Sequence, residues 1–356
     1  MRKPFLDDLR WFIILLVLLY HVVCFFNTCG APLNIGAPGI PALDAVGYFC
    51  YPWFMPCLFL VAGVSARYSL EKRTMGQFLR QRARSLLLPL LASLLCIAPL
   101  LALLTLHINH TALADMMAYF PTPVLPLLFL LLMGMGPQWF LLELFLLSLL
   151  LPLARRLDSG GRLLGWGGRQ GPAALLLLAL PFWLCAQAPA LPERHLLYLF
   201  CLLAGYFIFS HDGVQAVLRR LRWPLLAAAL ALFAAVLLRF WGRSFNDPAF
   251  LRAPLTTAFA WCAILAALGG AQAWLGRPNR ISAYLRPRGF ALYLFHYLPM
   301  LATAYVAATR LRLPLPLNYL LAFFIPLACC LLLYELLSRT PIIGTLFGLR
   351  PPKNPL

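Results

Sequence analysis

The sequence predicts an all-α, polytopic integral membrane protein of about ten transmembrane helices, with both termini in the cytoplasm. Three observations carry that prediction. Hydrophobic residues make up 62% of the chain and charged residues only 11%, too few to clothe a soluble surface. The apolar residues come in long runs bounded by short basic segments, and about 18 or more apolar residues are what a hydrocarbon layer of roughly 30 Å requires. The basic residues, finally, gather on alternate connections, as the positive-inside rule demands.

Taken in order, the runs place spans at about 11–27, 46–66, 85–106, 138–153 and 173–188, then at 196–211, 223–241, 254–275, 289–308 and 316–337. The first is followed by Asn27, Gly30 and Pro32 with no small-residue cleavage site, so it reads as a retained span. The stretch 124–134 is apolar but short, and Pro121, Pro123 and Pro126 fence it. It is expected to be interfacial or re-entrant; if it crosses, the topology after it inverts.

With ten spans, 23 of the 29 Lys and Arg fall on one side, in 1–10, 67–84, 155–169, 219–222, 277–288 and 339–353. The formal charge of +18 is therefore mostly a topology signal and argues against nucleic acid as a partner. It leaves a basic cytoplasmic face that would attract anionic membrane lipids or an anionic cytosolic ligand. Most of the ten cysteines lie inside apolar runs, where they act as small apolar residues. Cys29 and Cys50 flank the first outer loop and are the two that could pair.

Ionisable groups at membrane depth are costly, so each is a candidate for function. Arg10 stands at the cytoplasmic mouth of the first span, with His21 eleven residues on. Eleven residues are close to three helical turns, so both side chains project from nearly one face, about 16 Å apart along the axis. An Arg at the mouth can hold an anionic donor head in a bidentate fork. A His near the midplane can act as general base at neutral pH. Asp7, three residues before Arg10, lies on the same face and can orient the guanidinium. Spacing alone is equally compatible with a snorkelling Arg10 and a hydrogen-bonded structural His21.

Four segments bear on that choice. The segment F-L-D-D-L-R-W-F-I-I-L-L-V-L-L-Y-H-V, residues 5–22, resembles the opening of the membrane acyltransferase 3 family, with an Arg, ten residues and then a His on the first span. Residues 51–65, Y-P-W-F-M-P-C-L-F-L-V-A-G-V-S, resemble the family's second span. Residues 77–89, Q-F-L-R-Q-R-A-R-S-L-L-L-P, resemble its Arg-rich entry to the third. Residues 290–297, F-A-L-Y-L-F-H-Y, resemble a late span that carries a His. The resemblance is close over about 1–90 and topological beyond. It implies one membrane-embedded acyltransferase 3-like domain over 1–340, with 341–356 as a short Pro-rich cytoplasmic tail.

The resemblance also implies an activity: transfer of an acyl group, such as acetyl or succinyl, from acyl-CoA to a hydroxyl of an extracytoplasmic glycan or lipid-linked acceptor. The family includes periplasmic glucan-succinylating proteins. No permanently bound cofactor and no metal are expected, acyl-CoA being a donor substrate. His21 becomes the candidate base and Arg10 the candidate donor anchor, helped by one or two of Arg80, Arg82 and Arg84. At two-residue spacing those three fan across about 200° of a regular helix, so they cannot all face one site. Ordinary positive-inside charge is the competing account of them. Glu143, in W-F-L-L-E-L-F, is placed beside His21 or in an interhelical bond. His296 is a candidate for the donor channel. Glu335 is expected to pair with Arg339 at i, i+4. His107, His110, His195 and His211 fall in loops or at span ends and read as solvated.

The main rival is a transporter or flippase for a lipid-linked or small anionic compound; a domain kept only for ligand binding is a third reading. Against transport stand the missing internal repeat and the scarcity of charge at mid-depth.

Overall fold

A computed structural model describes residues 3–120, 122, 124–188, 194–276 and 279–351. Arg2, Arg277 and Lys353 of the basic side, Pro121 and Pro123 of the fence around 124–134, and residues 352–356 of the tail lie outside the described residues. Of the described residues 79% are helical, and none forms a strand.

Five helices are each long and apolar enough to cross a membrane: Pro4–Phe25, Pro41–Leu70, Asp212–Phe240, Pro254–Leu275 and Leu315–Leu337. Three bent pairs raise the number to 8 if each is one span. Two further apolar helices, Pro172–Ala186 and His195–Phe209, are shorter. At about 1.5 Å per residue a 15-residue helix rises roughly 22 Å, short of a full hydrocarbon layer. Length and composition alone therefore support five to eight crossings, although all ten runs read from the sequence fall on helices.

Each bend has a local cause. Met75–Cys96 meets Ala98–Ile108 at 47°, just where Pro99 cannot supply a backbone donor. Val124–Met133 meets Gly136–Leu157 at 87°; Gly136 takes φ +50°, open to glycine at no steric cost, and Pro137 follows it. Arg280–Phe295 meets Tyr297–Arg310 at 60°, where the ring of Pro299 displaces the carbonyl four residues earlier.

The backbone divides into two compact units. The first comprises Met1–Asn34, Gly39–Phe78 and Leu147–Arg286. In it Pro4–Phe25 begins with Pro4 in its first turn, a position where the missing N–H is no loss. Asp212–Phe240 packs along Pro254–Gly270. Phe54–Leu70 crosses His195–Ala204 at a reciprocal glycine contact. A Cβ on Gly63 would stand 2.0 Å from the Leu202 carbonyl oxygen, and one on Gly205 would stand 2.1 Å from that of Leu60. Small residues allow this approach, which replaces the hydrophobic drive that lipid cannot supply.

The loop after the first helix is tied down by its own polar residues. Asn27 donates to the carbonyls of Cys24 at 2.6 Å and Ala31 at 3.0 Å, and accepts from the Ala31 N–H at 2.8 Å. Thr28 donates its hydroxyl to Asp44 at 2.6 Å. All ten cysteines are free, Cys29 and Cys50 among them.

The second unit comprises Ile35–Pro38, Leu79–Leu146 and Pro287–Leu356. In it Gly134 lies against Ala98, whose carbonyl oxygen would stand 1.9 Å from an added Cβ. The described part of the tail continues as a short helix, Pro341–Leu346. The Tyr334 hydroxyl donates to the Arg350 carbonyl at 2.7 Å, so this segment is tied to its own unit as far as residue 350.

Candidate active site

In the first unit, Arg10 and His21 lie on the single unbroken helix Pro4–Phe25. The eleven-residue interval therefore holds as about three regular turns. Arg10 donates from Nη1 to Asp7 Oδ1 at 2.7 Å and from Nη2 to the Ser65 hydroxyl. Ser65 in turn donates to the Val61 carbonyl at 2.9 Å, four residues back on its own helix. The guanidinium is thus aimed by a carboxylate on its own helix and a hydroxyl on a neighbouring one, while its side chain stays 35% exposed.

His21 is 8% exposed and sits edge-on to the Tyr20 ring at 5.2 Å. Tyr20 stacks on Tyr51 at 5.3 Å, with the planes 7° apart, and touches Phe54 and Phe245. Arg194 lies over one member of this group, 5.7 Å from the Tyr51 ring centre. Aromatic rings fix the end of the helix that bears the imidazole, and such packing limits its rotamers.

Two residues before Arg10, on another face of the helix, Asp8 is fully buried. It receives Nε and Nη2 of Arg286 at 2.5 and 2.7 Å and the indole N–H of Trp11 at 3.1 Å. Lys3 reaches Asp212 at 2.5 Å. The entry turn of the first helix is therefore held by two ion pairs, Asp8–Arg286 and Lys3–Asp212, that do not depend on Arg10.

The remaining candidates lie in the second unit. Arg80 and Arg82 end the helix Met75–Arg82, and Arg84 falls in the π-helical turn Ala83–Leu87. The wider turn changes the angular spacing that a regular α-helix would impose. Arg80 and Arg84 are exposed and Arg82 is half-buried. Glu143, on Trp139–Ser148, is 7% exposed. His296 is completely buried at the bend after Phe295. Its Nδ1 lies 3.0 and 2.8 Å from the carbonyl oxygens of Leu292 and Tyr293. Both partners are acceptors, so Nδ1 carries the proton, and in the neutral ring Nε2 is left as the acceptor nitrogen.

Glu335 pairs with Arg339 at 3.6 Å, but its closer partner is Arg288, whose Nε donates to it at 2.9 Å. The structure thus moves the main ion pair of Glu335 from its own helix to a neighbouring one, because Arg288 is 6% exposed and requires a counter-charge. His107, His110 and His195 are exposed and His211 is half-buried. Among the described residues no group of three or more His, Cys, Asp or Glu is placed to hold a metal.

The family model described as an acyltransferase domain, acyltransferase 3, matches residues 3–335. The chain belongs to the acyltransferase 3 family. The match takes in every candidate residue of this acyltransferase, from Asp7 to His296, and runs through both compact units. No curated protein and no solved structure matches it. Within the acyltransferase's first unit the geometry joins Asp7, Arg10 and Ser65 and puts His21 on the same helix. Sequence reasoning passed over Asp8, Ser65, Arg286 and Arg288. Asp8 had one local signal, an acidic residue three positions from Trp11 on an otherwise apolar face; the other three had none beyond their residue type.

Proposed function

We propose that this membrane acyltransferase moves an acyl group from cytosolic acyl-CoA to a hydroxyl of an extracytoplasmic glycan or lipid-linked acceptor, from a multi-pass position in the cell membrane with both termini cytoplasmic. The observation that carries the reading is Arg10 and His21 on one unbroken helix, three turns apart, with the guanidinium aimed by Asp7 and Ser65. A planar fork held in this way suits the phosphates of a CoA head. The acyl-pantetheine arm is long enough to bring the thioester to the imidazole.

In the proposed step His21 takes the proton of the acceptor hydroxyl. The acceptor oxygen bonds to the acyl carbon, the carbon–sulfur bond breaks, and the departing CoA thiolate receives the proton. General-base assistance of this kind is worth about 10²–10⁴-fold. Arg80, Arg82 and Arg84 supply further positive charge to the donor's phosphates. His296 is assigned to the donor channel and Glu143 to orienting the imidazole or contacting the acceptor.

The test is transfer from labelled acetyl-CoA and succinyl-CoA by the full chain purified in detergent or nanodiscs, with glycan and lipid acylation compared in cells with and without the gene. Label on an envelope acceptor that disappears with His21→Ala is the expected result. Full transfer by that variant refutes the role of His21. Facilitated passage of an anion without any acyl transfer would favour the transporter reading.

A further inference from the structure

Several arginines on the Arg10 end of the first unit lie outside the candidate donor set and line a cavity of their own. It has a volume of about 450 Å³ and is walled by Arg67, Arg155, Arg156, Leu164, Tyr206 and Phe207, with Asp158 at its edge. Two of its three guanidinium groups are held in place. Arg155 donates from Nη1 to the Leu70 carbonyl at 2.6 Å. Arg67 lies 5.9 Å from the centre of the Tyr206 ring, and its buried Nε–H has no acceptor in this structure.

The nearby carboxylates do not cancel this charge. Glu71 reaches Arg67 at 3.0 Å but is 42% exposed, and exposed pairs of this kind are weak and screened by salt. Asp158 is turned to the backbone, accepting from the N–H groups of Leu163 at 2.9 Å and Leu164 at 3.0 Å. Lys72 and Arg73 line an adjoining hollow that shares Arg155, adding positive charge at the rim. The remaining lining includes aromatic and aliphatic side chains, Tyr206, Phe207 and Leu164.

We propose that this cavity is a binding site for a phosphomonoester that carries an apolar or aromatic body, separate from the donor site. Guanidinium forks from two helices can converge on one tetrahedral dianion, whose three acceptor oxygens offer more sites than the two of a carboxylate. The volume exceeds that of a bare phosphate ion, and Leu164, Tyr206 and Phe207 provide a surface for the rest of the ligand. Such a group has two sources, an anionic lipid headgroup or a soluble nucleotide. The site is independent of the donor reading, because none of its arginines is assigned to acyl-CoA.

The test uses the full chain in detergent, titrated with dioleoyl phosphatidic acid, with dioleoyl phosphatidylcholine, and separately with AMP; bound ligand is read by native mass spectrometry. Saturable binding of phosphatidic acid or AMP, with none of phosphatidylcholine, is expected. Arg67→Gln/Arg155→Gln should weaken it at least tenfold, while Arg219→Gln/Arg220→Gln, at exposed positions elsewhere in the unit, should leave it unchanged. Binding of phosphatidic acid alone identifies a lipid, and binding of AMP alone a soluble ligand. No saturable binding of either, binding that survives the double substitution, or an equal loss in the control overturns the site. Should the double variant aggregate, Arg156→Gln decides. Arg156 is exposed and its change should weaken binding several-fold; unchanged binding there also overturns the site.

Discussion

Arg286 presents Nε and Nη2 to the carboxylate of Asp8 at 2.5 and 2.7 Å, and Asp8 is fully buried. A fork of this kind anchors the first turns of the helix that carries Arg10 and His21. Removing one partner leaves a buried charge uncompensated, which costs on the order of 3 kcal/mol. Asp8→Ala and Arg286→Ala should each lower the unfolding temperature in detergent by several degrees. The double variant should recover part of that loss, and additive losses in a double-mutant cycle would show that the two groups do not act as a pair.

His21→Ala should reduce acyl transfer by about 10²–10⁴-fold while the unfolding temperature and the membrane yield stay near those of the parent. The aromatic packing of the neighbouring Tyr20 does not require the imidazole, since Tyr51, Phe54 and Phe245 all touch the tyrosine. A loss of protein along with activity would assign His21 to structure instead.

Ser65→Ala removes one of the two groups that aim Arg10 and should raise the KM for acyl-CoA several-fold with a smaller change in kcat. Arg10→Ala should raise that KM further. Steady-state kinetics at varied donor concentration separate the two effects, because a purely structural defect in Ser65→Ala would lower the active fraction and hence the apparent kcat at constant KM.

Gly63→Ala and Gly205→Ala should each destabilise the first unit, although Gly→Ala within an exposed helix is stabilising by about 1 kcal/mol. The sign reverses because the new methyl would stand 2.0 Å from the Leu202 oxygen or 2.1 Å from the Leu60 oxygen, and backbone cannot yield as a side chain would. Thermal unfolding of the two variants beside Gly76→Ala, where a Cβ meets nothing within 4 Å, checks the contrast.

Much of this protein is local and was therefore legible. Apolar run length marks each helix, and an eleven-residue interval on one helix has the same angular meaning whatever surrounds it. The Asp7–Arg10 contact is local for the same reason. The bends were legible only as Pro and Gly near run ends. With a bend at each of these, the ten runs resolve into five single spans, three bent pairs and two shorter helices.

By itself the sequence determined the all-α membrane class, the Arg10…His21 pair and, through four family-like segments, the acyltransferase 3 assignment. Only the tertiary structure decided which partners hold the charged groups. Ser65 lies 55 residues from Arg10, and Arg286 lies 278 from Asp8; no helical period links positions so far apart. Arg67, Arg155 and Tyr206 likewise come from separate segments, and their shared cavity exists only once those segments pack. Burial makes each such contact matter, because a charge removed from water must find its partner wherever the fold supplies one.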